Sequence, residues 1–395
     1  MTAWRTFIER LYMSPGAVPD QQIPTSSDVH PLSEMLYCMV RRWPPRSEAR
    51  ATGAKQMTKP STPSPTTDPS LGSGSRAFIT GANGFIGRSI RDRMRADGWT
   101  VSGVDAVAGD DTIAVGDTAS PGMWQHHMAG SDVVVHTAAV VSNTVSEDTC
   151  WKVNVQGTRR VIDAAVSQGV RRFVHLSSVK VFSDRGFPAG VDETWPVRPN
   201  GQAYVDTKVA SEQVVLQAHA AGEIDATIIR PGDAYGPRAR PWTIIPVEGI
   251  KAKQFLLPDG GRGIFSPIYI DDLVAGIVAA AVTPTVSGQV IILCGDESPT
   301  CATFFGHYAR MLGRSIPTAP AALARRIFAV GGRIDNWRGK PTEATADAVE
   351  YFLRTGGYSN KKARALLGWE PLIDLAEGMA RTEAWLRTEG YLTST

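Results

Sequence analysis

Ala77-Phe78-Ile79-Thr80-Gly81-Ala82-Asn83-Gly84-Phe85-Ile86-Gly87 is the stretch that decides the fold. A short apolar strand runs into three evenly spaced glycines, and a helical pattern over Phe85–Ala96 follows. Glycines let the backbone turn tightly and approach a pyrophosphate. The helix start, at Phe85 and Ile86, adds amide donors and a partial positive charge. The spacing is Gly-x-x-Gly-x-x-Gly, a variant of the usual fingerprint. With 38 glycines in 395 residues, these offsets arise by chance about 0.3 times per chain, so the neighbours must decide. Thr100–Asp105 reads as the next strand, and Asp105 stands at its end. A carboxylate there accepts both hydroxyls of an adenosine ribose and repels a 2′-phosphate. Ala106, Val107 and Ala108 supply no cation to hold such a phosphate. The loop is therefore expected to bind NAD rather than NADP, with Arg88 as the one contrary residue.

Working outward, the alternation continues. Thr112–Val115, Asp132–His136, Arg172–Ser177 and Ala226–Arg230 read as strands, and Asp148–Gln168 and Ala203–Ala221 as helices. Apolar strands separated by helices predict a Rossmann-type, doubly wound parallel sheet of the α/β class. Ligands of such sheets bind beyond the carboxyl ends of the strands. The expected division is an N-terminal extension over 1–75, a nucleotide domain over 76–235 and a smaller, mixed, mostly helical lobe over 236–395. Within the lobe, the strands and helix of 264–293 are expected to return to the core.

The extension has a short helical pattern at Ser33–Trp43, then a Ser/Thr/Pro/Gly-rich run from Thr58 to Ser75. That run cannot bury enough apolar surface to offset chain entropy. It reads as a poorly ordered extension rather than a docking arm, and Met57 is an alternative start. The net charge of +2 excludes a nucleic-acid surface as the basis of function. Cys38, Cys150, Cys294 and Cys301 have neither zinc nor disulfide-framework spacing, so no metal is expected and a cytoplasmic location is. Leu273–Val282, the longest apolar run, is too short to span a bilayer.

Tyr204-Val205-Asp206-Thr207-Lys208 opens the second long helix. Residues four apart share a helical face. A lysine cation beside a phenol stabilises phenolate, so Tyr204 can exchange a proton with an alcohol or ketone as hydride moves. Ser178, just past a strand, can hold the same substrate oxygen. Tyr358 and Lys362 repeat the spacing, but no serine-ended strand precedes them, and they read as structural.

These motifs resemble the extended branch of the short-chain dehydrogenase/reductase superfamily over about residues 76–395. The match includes Gly116-Asp117, His136-Thr137-Ala138-Ala139, Asn154-Val155-Gln156-Gly157-Thr158, Ser177-Ser178, Arg230-Pro231-Gly232-Asp233-Ala234-Tyr235-Gly236-Pro237 and Tyr269-Ile270-Asp271-Asp272-Leu273. The resemblance implies catalysis by Ser178, Tyr204 and Lys208, with Tyr204 and Lys208 also touching cofactor. It implies Asp117 at adenine, Ala138 and Ala139 along the cofactor, and Pro231 near the nicotinamide. Asn154 has a weaker claim, since a helix asparagine also serves as a backbone tie. A homodimer is a further implication.

Two groups within the superfamily compete. Sugar-nucleotide epimerases and dehydratases carry Asn where this chain has Asp233, and an Arg-Asp pair where it has Phe265-Ser266. A carboxylate and a phenyl ring are poor partners for a diphosphate, although Arg262 is nearby. The expectation is therefore a dehydrogenase or reductase, resembling the 3β-hydroxysteroid dehydrogenase and dihydroflavonol reductase groups. Its small substrate would be of medium size or hydrophobic. A non-catalytic NAD-sensing protein is the third reading. Phe304, Phe305, Tyr308, Met311, Ile327, Phe328 and Trp337 would line an apolar pocket or simply pack the lobe.

Overall fold

The structure, a computed structural model, describes residues 67–142, 144–184, 188–337 and 346–392. The helical pattern at Ser33–Trp43 and most of the expected extension lie outside the described residues. The compact unit that carries the site runs from Pro63 to Thr395.

Strand β1 (Arg76–Thr80) is buried on both faces from Ala77 onward, as a central parallel strand requires. Helix α1 (Phe85–Ala96) buries Ile90 and Met94 and leaves most of its charged residues outward. There follow β2 (Thr100–Asp105), β3 (Ile113–Val115), β4 (Val133–His136), β5 (Arg172–Leu176), β6 (Asp225–Pro231) and, at the edge, β10 (Val290–Leu293). The sheet order is β10-β6-β5-β4-β1-β2-β3, and every pairing is parallel. The doubly wound expectation is met. Alternate residues feed two cores: Ala77, Ile79, Val133 and Val135 on one face, Phe78, Val104 and Val134 on the other. Strand order reverses between β1 and β4, so their carboxyl ends flank the crevice where a ligand sits.

The expected single helix at Asp148–Gln168 is three pieces. These are α2 (Glu147–Trp151), a wide π turn (Lys152–Gln156) and α3 (Gly157–Ser167), which stops before Gly169 in the left-handed region. The π turn is centred on Asn154, and such bulges re-aim one side chain within a helix. Helix α4 (Ala203–Ala220) is buried on several sides, by Val205, Lys208, Val209, Glu212 and Val215.

Past β6 the chain forms the C-terminal region. Short β7 (Asp233–Tyr235) pairs with β9 (Pro267–Tyr269). The strand expected over Ile264–Ile270 is shorter because Ile264 bridges Thr300 instead. Helix α5 (Ile245–Lys251), β8 (Leu257–Pro258), α6 (Ile270–Val282), α7 (Cys301–Met311), β11 (Thr318–Ala319), α8 (Ala321–Trp337), α9 (Ala346–Tyr351), α10 (Lys361–Leu367) and α11 (Leu375–Thr388) complete it. Phe304, Phe305 and Tyr308 are fully buried. Phe304 lies 4.2 Å from the Phe265 ring, centroid to centroid, so these aromatics are packing core. Among the described residues no helix is long and apolar enough to cross a membrane, and no cluster suited to a metal occurs.

Candidate active site

The glycine loop is fitted to the ends of β1 and β4. Gly81 has φ of 66°, and a Cβ there would meet the Thr137 hydroxyl at 2.8 Å and the Ala138 amide at 2.9 Å. A Cβ on Gly87 would lie 2.1 Å from the Gly81 carbonyl oxygen. Gly84 is the extended N-cap of α1 and offers no side chain to cap it. The amides of Phe85 and Ile86 are therefore left for an acceptor from outside the helix. Arg88 follows in the first turn, and its buried Nε has no partner among the described residues. A cation and a free helix start together suit a pyrophosphate.

Asp105, at the end of β2, accepts the Asn83 amide at 2.9 Å on one oxygen and the Val107 amide at 3.0 Å on the other. Each oxygen keeps a lone pair for a ribose hydroxyl. Asp117 is exposed and accepts the Ala119 amide at 2.8 Å. Ala138 and Ala139 follow β4 directly; the Ala138 amide donates to the Thr80 hydroxyl. These residues fit NAD. Asn154 is committed to the protein: it accepts the Val140 amide at 2.7 Å and donates to the Val140 carbonyl and the Thr207 hydroxyl. Its role here is the backbone tie.

Ser178 caps a short 3-10 turn (Val179–Phe182) just past β5, accepting the Lys180 amide at 3.1 Å. Tyr204, on the first turn of α4, faces Ser178 closely enough for a side-chain interaction to oppose the effect of burial on the phenol. Serine and phenol are therefore brought together. Lys208 lies one turn further on, buried, and its Nζ donates to the Leu176 carbonyl at 2.7 Å. The expected lowering of the Tyr204 pKa by Lys208 is not what this arrangement gives. Burial pushes the phenol up, and Ser178 opposes it. Lys208 is itself lowered to about 8, because burial penalises the ammonium while Glu212 favours it.

Sequence reasoning singled out Asp233 but missed the buried partners that surround it. Asp233, two residues past Pro231, receives the Ser266 amide at 3.0 Å, the Tyr351 hydroxyl and the Arg354 guanidinium at 2.5 Å. Burial pushes its carboxyl up, and Arg354 opposes this. Arg354 is fully buried, 4.0 Å from the Tyr351 ring centroid. Lys180 pairs with Asp184 and lies 4.5 Å over the other described partner, the Tyr351 ring. Trp242 stacks on Tyr351 at 4.7 Å and meets Phe265 edge-on. Tyr358 precedes α10 rather than sharing a helical face with Lys362. It stacks on Phe182 and meets Arg354, a structural role. Arg354 and Tyr351 carry no sequence signal, since they are over 100 residues from Asp233 and follow no motif.

Residues 77–294 match the model of the NAD dependent epimerase/dehydratase family. Three curated relatives are similar. One is the 4-hydroxy-2-methyl-3-oxo-4-farnesyl-3,4-dihydroquinoline-1-oxide ketoreductase of Stigmatella aurantiaca (28% identical, 77% of this chain, 94% of the relative). The second is a UDP-glucose 4-epimerase of Mycolicibacterium smegmatis (28%, 80% and 99%). The third is a 3-beta-hydroxysteroid dehydrogenase of Mycolicibacterium neoaurum (27%, 77% and 89%). Among solved structures, MoeE5 in complex with UDP-glucose and NAD has the same fold (TM-score 0.64, 22% identical, covering 80% of this chain and 99% of that one). With more than half of its length matched and its glycine loop, Asp105 and Tyr204 in place, the chain belongs to the NAD dependent epimerase/dehydratase family, the extended, NAD-dependent branch of the short-chain dehydrogenases and reductases.

Proposed function

We propose that the protein interconverts a hydroxyl and a ketone on a hydrophobic small molecule. The observation that carries this is the buried charge pairing around Asp233, the position where the sugar-nucleotide groups carry Asn. A nucleotide sugar brings a diphosphate, which needs free donors and cations. Here Arg354 is neutralised by Asp233, Lys180 by Asp184, and Arg230 by Glu212. Trp242, Phe265 and Tyr351 pack against one another beside Asp233 and add apolar surface rather than donors. Arg262, the cation that could substitute, is exposed beyond a surface turn.

When bound, NAD accepts a hydride and NADH supplies one. Gly81, Gly84 and Gly87 admit the backbone to the pyrophosphate, and Asp105 takes the ribose. Ser178 holds the substrate oxygen. Tyr204 moves the proton; its raised pKa keeps it protonated at neutral pH, the form that serves a ketone. Lys208 supports the pair and reaches the cofactor side, with Pro231 bordering the nicotinamide. Farnesyl-quinoline and steroid relatives fit this reading.

The epimerase relative favours a second reading, turnover of a UDP-sugar. The deciding experiment follows NADH consumption with ketosteroids and other apolar ketones, beside epimerisation of UDP-glucose. Oxidation of NADH by an apolar ketone, lost in Tyr204→Phe while NADH still binds, is expected. UDP-glucose turnover without ketone reduction would replace this reading with the second, and NADH binding without any turnover would leave a sensor.

A further inference from the structure

Behind the Tyr204–Lys208 pair lies a buried ion pair that the proposed chemistry does not use. Glu212 is 1% exposed and Arg230 is 4% exposed. Arg230 grips both oxygens of Glu212, at 2.8 Å and 2.6 Å. The Ser177 hydroxyl donates to one of the same oxygens at 2.5 Å. Each partner adjoins a site residue: Ser177 precedes Ser178, Arg230 precedes Pro231, and Glu212 lies one helical turn beyond Lys208. Strands β5 and β6 are in register here, with Leu176 opposite Ile229 and the Ser177 amide on the Ile229 carbonyl at 2.7 Å. Lys208 and Glu212 therefore reach consecutive residues, the Leu176 carbonyl and the Ser177 hydroxyl.

We propose that Glu212, fixed by Ser177 and Arg230, is a positioning residue that holds the Lys208 ammonium in place and locks α4, β5 and β6 into one register at the site. The physical reason is the burial of Lys208. Lys208 donates to the Leu176 carbonyl and Glu212 accepts from the next residue's hydroxyl, so the carboxylate stands beside the ammonium along β5 and favours its charge although Arg230 is its direct partner. The other groups around Lys208 give no such help. His136 of β4 and His175 of β5 are neutral buried imidazoles whose protonation Lys208 itself disfavours, and Tyr204 is a neutral phenol. Arg230 of β6 is of like sign and is engaged by the carboxylate. Glu212 thus opposes the loss of the Lys208 proton that burial favours.

The inference rests on the Tyr204/Lys208 reading only in its activity arm. Breaking a buried pair by one partner strands a charge, whereas replacing both partners by apolar residues is often tolerated. Glu212→Met/Arg230→Met is therefore made beside Glu212→Gln. The pH titration of Lys208 is followed by NMR in the full chain with isotope-labelled lysine, its signal assigned by loss in Lys208→Met. In the double variant the melting temperature should stay within a few degrees of the parent and NADH should still bind. In Glu212→Gln, which removes the carboxylate charge and keeps Arg230, the Lys208 midpoint should fall by about one pH unit or more, and the basic limb of the kcat profile should fall with it. In the double variant, which also loses the like-signed Arg230, the fall should be smaller. An unchanged midpoint in folded Glu212→Gln, or, should that variant not fold, a raised midpoint in the double variant, overturns the proposal and leaves a purely structural pair. A lowered midpoint together with a fully active Tyr204→Phe overturns the catalytic reading and leaves the coupling standing.

Discussion

Gly84 and Gly87 look equivalent in the motif, yet the structure separates their duties. Gly87→Ala drives a Cβ into the Gly81 carbonyl, 2.1 Å away, so the loop must leave the strand end. It should lower the melting temperature and weaken NADH binding together. At Gly84 the nearest atom to an added Cβ is the Gly81 oxygen at 3.1 Å, and the backbone is ordinary extended chain. Gly84→Ala should therefore keep most of the stability and weaken NADH about tenfold or more, which is about 1.4 kcal/mol. Melting curves and fluorescence titration on the two variants check this. The loop, Asp105 and the Tyr204/Lys208 spacing are legible in sequence because each works through backbone geometry or one helical turn. The direction of the Tyr204 shift was not legible. It depends on burial by residues distant in sequence and on where the Lys208 Nζ finds its acceptor.

The tie made by Asn154 joins two elements rather than residue to ligand. The π turn aims the amide at both polar groups of Val140 and at Thr207 of α4. Asn154→Ala removes the partner of the part-buried Val140 amide and carbonyl, while Thr207 keeps the Ala203 carbonyl, and should cost about 1 kcal/mol in a urea melt. Sequence periodicity misses such a turn, since one extra residue per turn only slips the apolar stripe. The Asp233 cluster is a second case. Asp233→Asn strands the Arg354 charge and should cost about 3–5 kcal/mol, while Asp233→Leu/Arg354→Leu should restore much of it. If the Asp233 charge is what discourages a diphosphate, Asp233→Asn, which frees the Arg354 cation, should bind UDP-glucose more tightly than the parent in a calorimetric titration, and the double leucine variant should not. Asp233 was legible as an unusual residue. Its partner was not, because a contact between β7 and the chain after α9 has no period to read.

Across the whole molecule, the sheet carries two stacked imidazoles, His136 and His175, with ring centroids 5.4 Å apart. Burial, with Lys208 adding to it, lowers His136 to about 3 and holds His175 well below its ordinary value. At these two imidazoles the unfolded chain binds more protons than the native one from about pH 6.5 downward, so they make stability fall on acidification. His136 by itself should remove about 2 kcal/mol between pH 7 and pH 5. Urea melts at the two pH values test this, and His136→Gln should flatten part of the slope. What the sequence by itself determined was everything that repeats or is local: the alternation that makes the parallel sheet, the glycine turn with its acid one strand later, and the phenol and lysine one turn apart. Tertiary structure decided which charges neutralise one another: Arg354 with Asp233, Arg230 with Glu212, Lys180 with Asp184. Two of these pairs, Arg354 with Asp233 and Arg230 with Glu212, form across elements only when folding removes water. In water a charge needs no particular partner, and in the core it does, so the character of the substrate end rests on contacts that no local pattern encodes.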